Sequence, residues 1–303
     1  EYNYGMDTLK KVMAQQKAKV LVGNVYSPEG EPLADGYTIV RKGCLKIGLI
    51  GMVTPNITRW DAMNLKGWTV TNPVDESRKI IDKIKDKVDI LIGVMHMDVD
   101  NEYDVYGSGV TDLANACPEF AVIVAGHGHR SIPHMMINDV LVVENKSSGA
   151  TLSEIHVHLE RQLNGKWKVV ERTSENLNMK DYEPDPVLTE LLATYDARAK
   201  EDAMTIIGEL RGGNLAPENE IATLPQPMLQ DTALLDFINE AQMYYTGAQV
   251  AATSLTSMSS QMLEGVIHKC DMASIYTYQN TLYKLEMTGE QLLRFMEWSA
   301  AFF

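Results

Sequence analysis

A helix followed by an apolar strand occurs twice in the first half of this sequence, and that unit restricts the possible folds more than any other feature. Asp75 to Lys87 sets Ile80, Ile81 and Ile84, with the following Val88, on one helical face and leads into Asp89-Ile-Leu-Ile-Gly-Val-Met95. Val110 to Ala116 and Phe120 to Ala125 repeat the pattern. A strand that is apolar on both faces cannot leave either face in water, so the spacing predicts an α/β fold with helices covering a sheet. Before these units, Met6 to Gln16 has helical spacing and Val20 to Val25 reads as a short strand. Tyr37 to Lys42 and Leu45 to Val53 read as two strands joined by a hairpin at Lys42-Gly43-Cys44, the second of them ended by Thr54-Pro55.

After Asn138 the pattern changes. Val140 to Val143, Thr151 to Leu159 and Trp167 to Val170 read as strands with little helix between them, which implies a second sheet. Pro184 and Pro186 interrupt the chain, and Val187 to Lys200 is a charged helical stretch suited to joining two domains. Beyond Ile206 the expected elements are a loop at Gly212-Gly213, a helix from Thr232 to Tyr244, strands at Gln249 to Ala252 and Leu282 to Met287, and a helix from Gly289 to Ala300.

Composition narrows the function classes. The 303 residues carry 41 acidic against 27 basic side chains, a net charge of -14, which disfavours attraction to a nucleic-acid polymer. No apolar run approaches the roughly 18 residues of a membrane span. Cys44, Cys117 and Cys270 are far apart and form no CxxC motif, so they neither mark a zinc site nor fix the redox compartment. The 17 methionines are scattered and read as core gap-fillers. The start at Glu1-Tyr-Asn-Tyr and the stop at Ala301-Phe302-Phe303, without polar tail or helix stop, both read as cut ends.

Three of the seven histidines stand at the ends of apolar strands: His96 after Ile90 to Met95, then His127 and His129 after Ala121 to Gly126. In open α/β sheets functional groups gather beyond the carboxyl ends of strands, so two neighbouring ends can share one site. Near-extended backbone through Gly126-His-Gly-His129 would send both imidazoles to one side, and neutral imidazole binds zinc, manganese or iron. The other histidines read as structural: His156 and His158 inside an alternating strand, His134 in a loop after Pro133, His268 in a polar stretch. Asp98-Val-Asp100-Asn-Glu102-Tyr-Asp104 lacks the central Gly and terminal Glu of a calcium loop and reads as a solvated loop.

Tyr4-Gly5-Met-Asp-Thr-Leu9, Lys46-Ile-Gly-Leu-Ile-Gly51 with Thr54-Pro55, the strand ending in His96, and Gly126-His-Gly-His129 followed by Pro133 occur in that order. The second half adds Asp231-Thr-Ala-Leu-Leu235, Gly247-Ala248, Tyr276-Thr-Tyr-Gln-Asn-Thr-Leu282, Met287-Thr-Gly-Glu-Gln-Leu292 and Glu297-Trp-Ser-Ala300. Together these resemble the bacterial 5'-nucleotidase and 2',3'-cyclic-nucleotide 2'-phosphodiesterase group of the calcineurin-like metallophosphoesterases, and the Tyr276 to Leu282 run is most similar to the cyclic-phosphodiesterase branch. The resemblance implies a metallophosphoesterase-type two-sheet sandwich flanked by helices, followed by a partial α/β 5'-nucleotidase C-terminal domain. It divides the chain into a metallophosphoesterase domain lacking its N-terminal part at 1–184, a linker helix at 185–205 and an incomplete C-terminal domain at 206–303.

By the same resemblance the intact protein holds two divalent metal ions, manganese, zinc or iron. His96 and His127 would bind one ion and His129 the other, while Tyr278 would stack on a nucleobase with Asn280 beside it. The family's Asp-x-His, bridging Asp and Gly-Asn-His are expected upstream of Glu1, so no catalytic residue falls within this chain and the fragment alone is expected to be inactive. An arginine that many relatives carry near Ala252-Thr-Ser-Leu-Thr-Ser-Met258 is missing. The implied activity is metal-dependent hydrolysis of nucleotides, as a 2',3'-cyclic-nucleotide 2'-phosphodiesterase/3'-nucleotidase or a 5'-nucleotidase, with a nucleotide or cyclic nucleotide as the only inferable partner. The alternatives are a non-catalytic nucleotide-binding or surface protein on the same scaffold, and hydrolysis of another ester such as a nucleotide sugar. The relatives' export implies a periplasmic, cell-wall or secreted location.

Overall fold

The computed structural model describes residues 2–222, 224–255, 260–277 and 281–301. It divides into two units, Glu1–Glu183 and Pro184–Phe303, each with a core of its own.

In the first unit, α1 (Met6–Gln15) precedes the two-residue strand β1 (Val25–Tyr26), the hairpin β2 (Tyr37–Lys42) and β3 (Leu45–Val53), the single turn α2 (Ile57–Trp60) and β4 (Thr69–Val70). There follow α3 (Pro73–Ile84), β5 (Ile90–His96), α4 (Val110–Ala116), β6 (Phe120–Ala125), β7 (Ile132–Ile137) and β8 (Val140–Glu144), then the long hairpin β9 (Thr151–Arg161) and β10 (Trp167–Asn178). Six strands form a mixed sheet in the order β2-β3-β5-β6-β8-β7, with β3, β5, β6 and β8 parallel and the edge strands β2 and β7 antiparallel to their neighbours.

Both faces of this sheet are covered, as its apolar strands require. On one face Ile81 and Ile84 of α3 and Leu113 of α4 pack with Ile50, Leu91, Phe120 and Ile123. On the other, Ile155, Val157, Leu159 and Val169 of the β9–β10 hairpin cover Ile90, Val122, Leu141 and Val143. This hairpin is the second layer of a sandwich. Each fully buried Ile, Leu or Phe contributes about 2 kcal/mol of transfer free energy. Helix α3 starts where Asn72 accepts the N–H groups of Val74 at 2.8 Å and Asp75 at 3.4 Å, with Pro73 in the first turn.

The second unit begins with α5 (Pro186–Ala203), capped by Asp185 through Val187 and Leu188 N–H at 2.9 Å each. It continues with β11 (Ile206–Leu210), α6 (Ala233–Thr246), β12 (Gly265–His268), α7 (Lys269–Ile275) and α8 (Gly289–Ala300). Strand β11 pairs antiparallel with β12, and Leu234, Ile238, Met262, Ile267 and Ile275 form the core. Lys269 on α7 grips Asp202 on α5 with contacts of 2.6 and 2.8 Å.

Several expected elements differ. The strand at Val20 to Val25 shrinks to β1, and the strand starting at Trp167 runs on to Asn178 because β9 offers it a partner along its whole length. His134 lies in a strand rather than a loop: β7 is an edge strand with an irregular register at Ile132 to Met135, where Pro133 needs no ladder partner. Gln249 to Ala252 and Leu282 to Met287 are not strands, since among the described residues they have no partner to take up their backbone groups. The three cysteines are free thiols, Cys117 buried and the others exposed.

Candidate functional site

Parallel pairing of β5 with β6 puts the carboxyl ends of the two strands side by side. His96 is the last residue of β5, and its carbonyl accepts the Thr54 N–H at 3.0 Å. The chain beyond β6 is tied back when Gly126 N–H donates to the Met97 carbonyl at 3.1 Å. These two strand ends bring the His96 and His127 rings to a centroid separation of 5.3 Å at 57°.

Besides His96, two groups contact His127. The indole of Trp60, at the end of α2, stacks on it at 5.3 Å and 15°. Oε1 of Glu102 lies 3.0 Å from its Nε2, and the other Glu102 oxygen is buried without a partner among the described residues. With Nε2–H donated to the carboxylate, Nδ1 carries the free lone pair, an arrangement in which a carboxylate orients a ligating imidazole. Tyr103 packs near Trp60 at 6.4 Å with the Arg59 guanidinium 4.7 Å from its ring centroid.

The loop after β6 is held in unusual backbone conformations. His127 has φ of 80° and His129 φ of 55°, the left-handed region that costs a non-glycine residue about 1–2 kcal/mol. This turn separates the two side chains that extended backbone would have aligned. His129 is exposed, and its ring makes no hydrogen bond or ring contact among the described residues. A Cβ on Gly128 would run into the Asp98 carboxylate, so glycine is needed there for close approach.

The acidic segment after β5 is only partly solvated, contrary to the sequence expectation. Asp98 accepts from Nη2 of Arg130 and from the Val99 N–H, while Asp100 accepts from Nη1 of Arg130 at 3.0 Å. Asn101 takes the Gly109 N–H at 2.8 Å, and Ser108 Oγ takes the Glu102 N–H at 2.8 Å, which fixes the loop that presents Glu102. Glu144, at the end of β8, is fully buried, and burial with the nearby Asp98 charge pushes its carboxyl above the ordinary range.

Among the described residues no group of three or more His, Cys, Asp or Glu side chains is arranged to hold a metal ion. His96 and His127 fit as part of a metal shell and not as a whole one, because a catalytic ion normally has three or more protein ligands. Tyr278 and Asn280 lie outside the described residues, as do 256–258 of the stretch where an arginine is missing. His156 and His158 are exposed on β9, and His268 sits at the start of α7, its Nδ1 3.5 Å from Asp271. Sequence reasoning missed Trp60, Glu102, Arg130 and Glu144. Arg130 follows the Gly-His-Gly-His run directly, and Glu144 is an acid ending an otherwise apolar strand. Those were the available signals. In the second unit a cavity of about 250 Å³ is lined by apolar and aromatic groups including Phe237, Tyr245, Tyr276 and Leu282.

Comparison with known proteins gives matches to both halves of the chain. Residues 211–302 match the 5'-nucleotidase C-terminal domain. The whole chain aligns at 26% identity with the 2',3'-cyclic-nucleotide 2'-phosphodiesterase/3'-nucleotidase of Haemophilus influenzae, covering 53% of that protein. Among solved structures, the calcineurin-like phosphoesterase YfkN of Bacillus subtilis superposes with a TM-score of 0.60 at 26% identity, over 66% of this chain and 68% of that one. The 5'-nucleotidase precursor of Thermus thermophilus shares the fold with a TM-score of 0.62 at 18% identity, over 91% of this chain and 56% of that one. The chain thus spans about half the length of the curated relative it matches, and no helix among its described residues is long and apolar enough to cross a membrane.

Proposed function

We propose that this chain, with its 5'-nucleotidase C-terminal domain at 211–302, belongs to a metal-dependent phosphoesterase that hydrolyses nucleotides, with 2',3'-cyclic nucleotides and 3'-nucleotides as first substrates. The observation that carries the reading is the convergence of His96 and His127 from adjacent parallel strand ends. Agreement along the full chain with a cyclic phosphodiesterase supports the choice of substrate.

In this reading His96 and His127 hold one divalent ion and His129 contributes to a second, with the remaining ligands supplied from outside this chain. Bound divalent ions supply Lewis-acid polarisation of the phosphoryl oxygens and a more acidic water. Glu102 accepts a hydrogen bond from Nε2–H of His127 and Trp60 holds the ring plane, so the imidazole is oriented before any ligand arrives. Tyr278 stacks on the base, which adds affinity with tolerance for different bases, and Asn280 binds beside it. A periplasmic, cell-wall or secreted location goes with this reading.

The test is to purify the full-length polypeptide with manganese or zinc and supply 2',3'-cyclic AMP, a 3'-nucleotide and a 5'-nucleotide, following both the 3'-nucleotide product and free phosphate. Metal-dependent turnover of the first two is expected. No metal-dependent hydrolysis of any of the three would refute the reading.

A further inference from the structure

The segment that joins β6 to β7 has to cross a strand. Strand β8 lies between them in the sheet, parallel to β6 and antiparallel to β7, so residues 126–131 pass over its carboxyl end. Glu144, the last residue of β8, is the point crossed. Its Cα partners are Ala125, where the chain leaves β6, and Ile132, where it enters β7.

The Glu144 side chain is 0% exposed at the end of a strand whose other members, Val140 to Val143, are all apolar and buried. Its carboxylate Oε1 accepts the backbone N–H of Arg130 at 3.4 Å. That amide directly follows His129, three residues beyond His127. The second oxygen has no hydrogen-bond partner among the described residues and stands 4.0 Å from Nε of Arg130, which has none either. Arg130 then reaches outward, its two Nη atoms on Asp98 and Asp100, and so latches the same loop to the segment after β5.

Burying a carboxylate costs several kcal/mol unless donors hold it, and an apolar residue of that size would satisfy the core at less cost. Packing therefore gives no reason for an acid at this position. The backbone donor inside the crossover does.

We infer that Glu144 is a positioning residue: from inside the crossover it holds the backbone of 126–130, and with it the left-handed conformations that turn His127 toward His96 and leave His129 at the surface. Its consequence for metal binding rests on the phosphoesterase reading; the conformational role does not.

The experiment compares Glu144→Ala and Glu144→Gln with Val142→Ala, an equally buried control in the same strand, all in the 303-residue chain. Amide hydrogen exchange and the NMR signals of the histidine rings are read without metal. In Glu144→Ala the Arg130 amide should exchange about tenfold faster than in Val142→Ala, the effect of roughly one lost hydrogen bond. The His127 ring signals, set by the stack on Trp60, should move as well. Glu144→Gln keeps an acceptor oxygen and should fall between wild type and Glu144→Ala; it carries the comparison if the alanine variant does not fold. Equal exchange in the Glu144 variants and the valine control, or unmoved His127 signals, would overturn the inference. In the full-length polypeptide, Glu144→Gln should raise the metal dissociation constant by about tenfold, and unchanged affinity in a metal-binding wild type would overturn the role at the site. A wild type with no phosphoesterase activity would instead remove the functional reading and leave the exchange result intact.

Discussion

Trp60 and His127 stack with ring centroids 5.3 Å apart and planes 15° from parallel, although they come from a single helical turn after β3 and a loop after β6. The pair links two segments 67 residues apart through a half-exposed indole and an imidazole that also faces His96 and Glu102. Replacing Trp60 by Ala removes this support. The expected loss is about 1 kcal/mol of unfolding free energy by urea titration, with a shift of the His127 ring protons in the NMR spectrum. Unmoved ring signals would mean that the stack does not persist in solution.

Glu102→Gln keeps the size of the side chain but removes the charge that favours a proton on Nε2 of His127. Metal affinity of the full-length polypeptide is expected to fall by about 10- to 100-fold, while stability changes by less than about 1 kcal/mol because the pair is partly exposed. Metal titration together with thermal unfolding separates the two effects. A large drop in stability with unchanged affinity would make Glu102 structural only.

Gly128→Ala puts a methyl group where the Asp98 carboxylate now lies. Either the Asp98–Arg130 pair or the loop backbone must shift, at an expected cost of about 1–3 kcal/mol by urea unfolding. Gly43→Ala has open space around the new Cβ but a φ of 62°, so its cost comes from backbone conformation alone, about 1 kcal/mol. Equal penalties for the two variants would argue against the close approach at Gly128.

Arg78 on α3 grips Glu119 with two contacts of 2.7 Å, and this hydrogen-bonded pairing holds the Glu119 carboxyl below the usual carboxylate range. A lowered folded-state value means that the stabilisation is present above the ordinary value near 4.5 and is lost as pH falls through the lowered one. Wild type should therefore exceed Glu119→Gln by about 1 kcal/mol at neutral pH, after allowance for solvent screening. The difference should shrink below about pH 4. Denaturation of both proteins across that range checks it, and a pH-independent difference would rule out the charge as its source.

The legible parts of the fold were those in which one strand carries its own evidence. Leu45 to Val53 and Phe120 to Ala125 were readable to the residue because apolar side chains on both faces leave a buried strand as the sole outcome. Strand β7 was hidden because Pro133 and the polar His134 belong to an edge, where neither hydrogen bonding nor burial constrains the sequence strongly. Gln249 to Ala252 has strand composition, yet strand formation needs a partner, and composition says nothing about whether one arrives. That His96 and His127 would come together was legible from their position after apolar runs. Glu102 was passed over because an acid among acids in a loop looks solvated until its contact with His127 is seen.

The sequence by itself determined that this chain makes a covered α/β sheet and that two histidine-bearing segments leave it at the carboxyl ends of strands, since hydrophobic periodicity is local and strong enough to specify both. Only the tertiary structure decided that β8 lies between β6 and β7, which places Glu144 under the loop that carries His127 and His129. Strand order depends on long-range pairing among elements of nearly identical local pattern. The positive φ angles at His127 and His129 are likewise sustained by contacts from Asp98, Arg130 and Glu144, residues that are distant along the chain from one another or from the loop they hold.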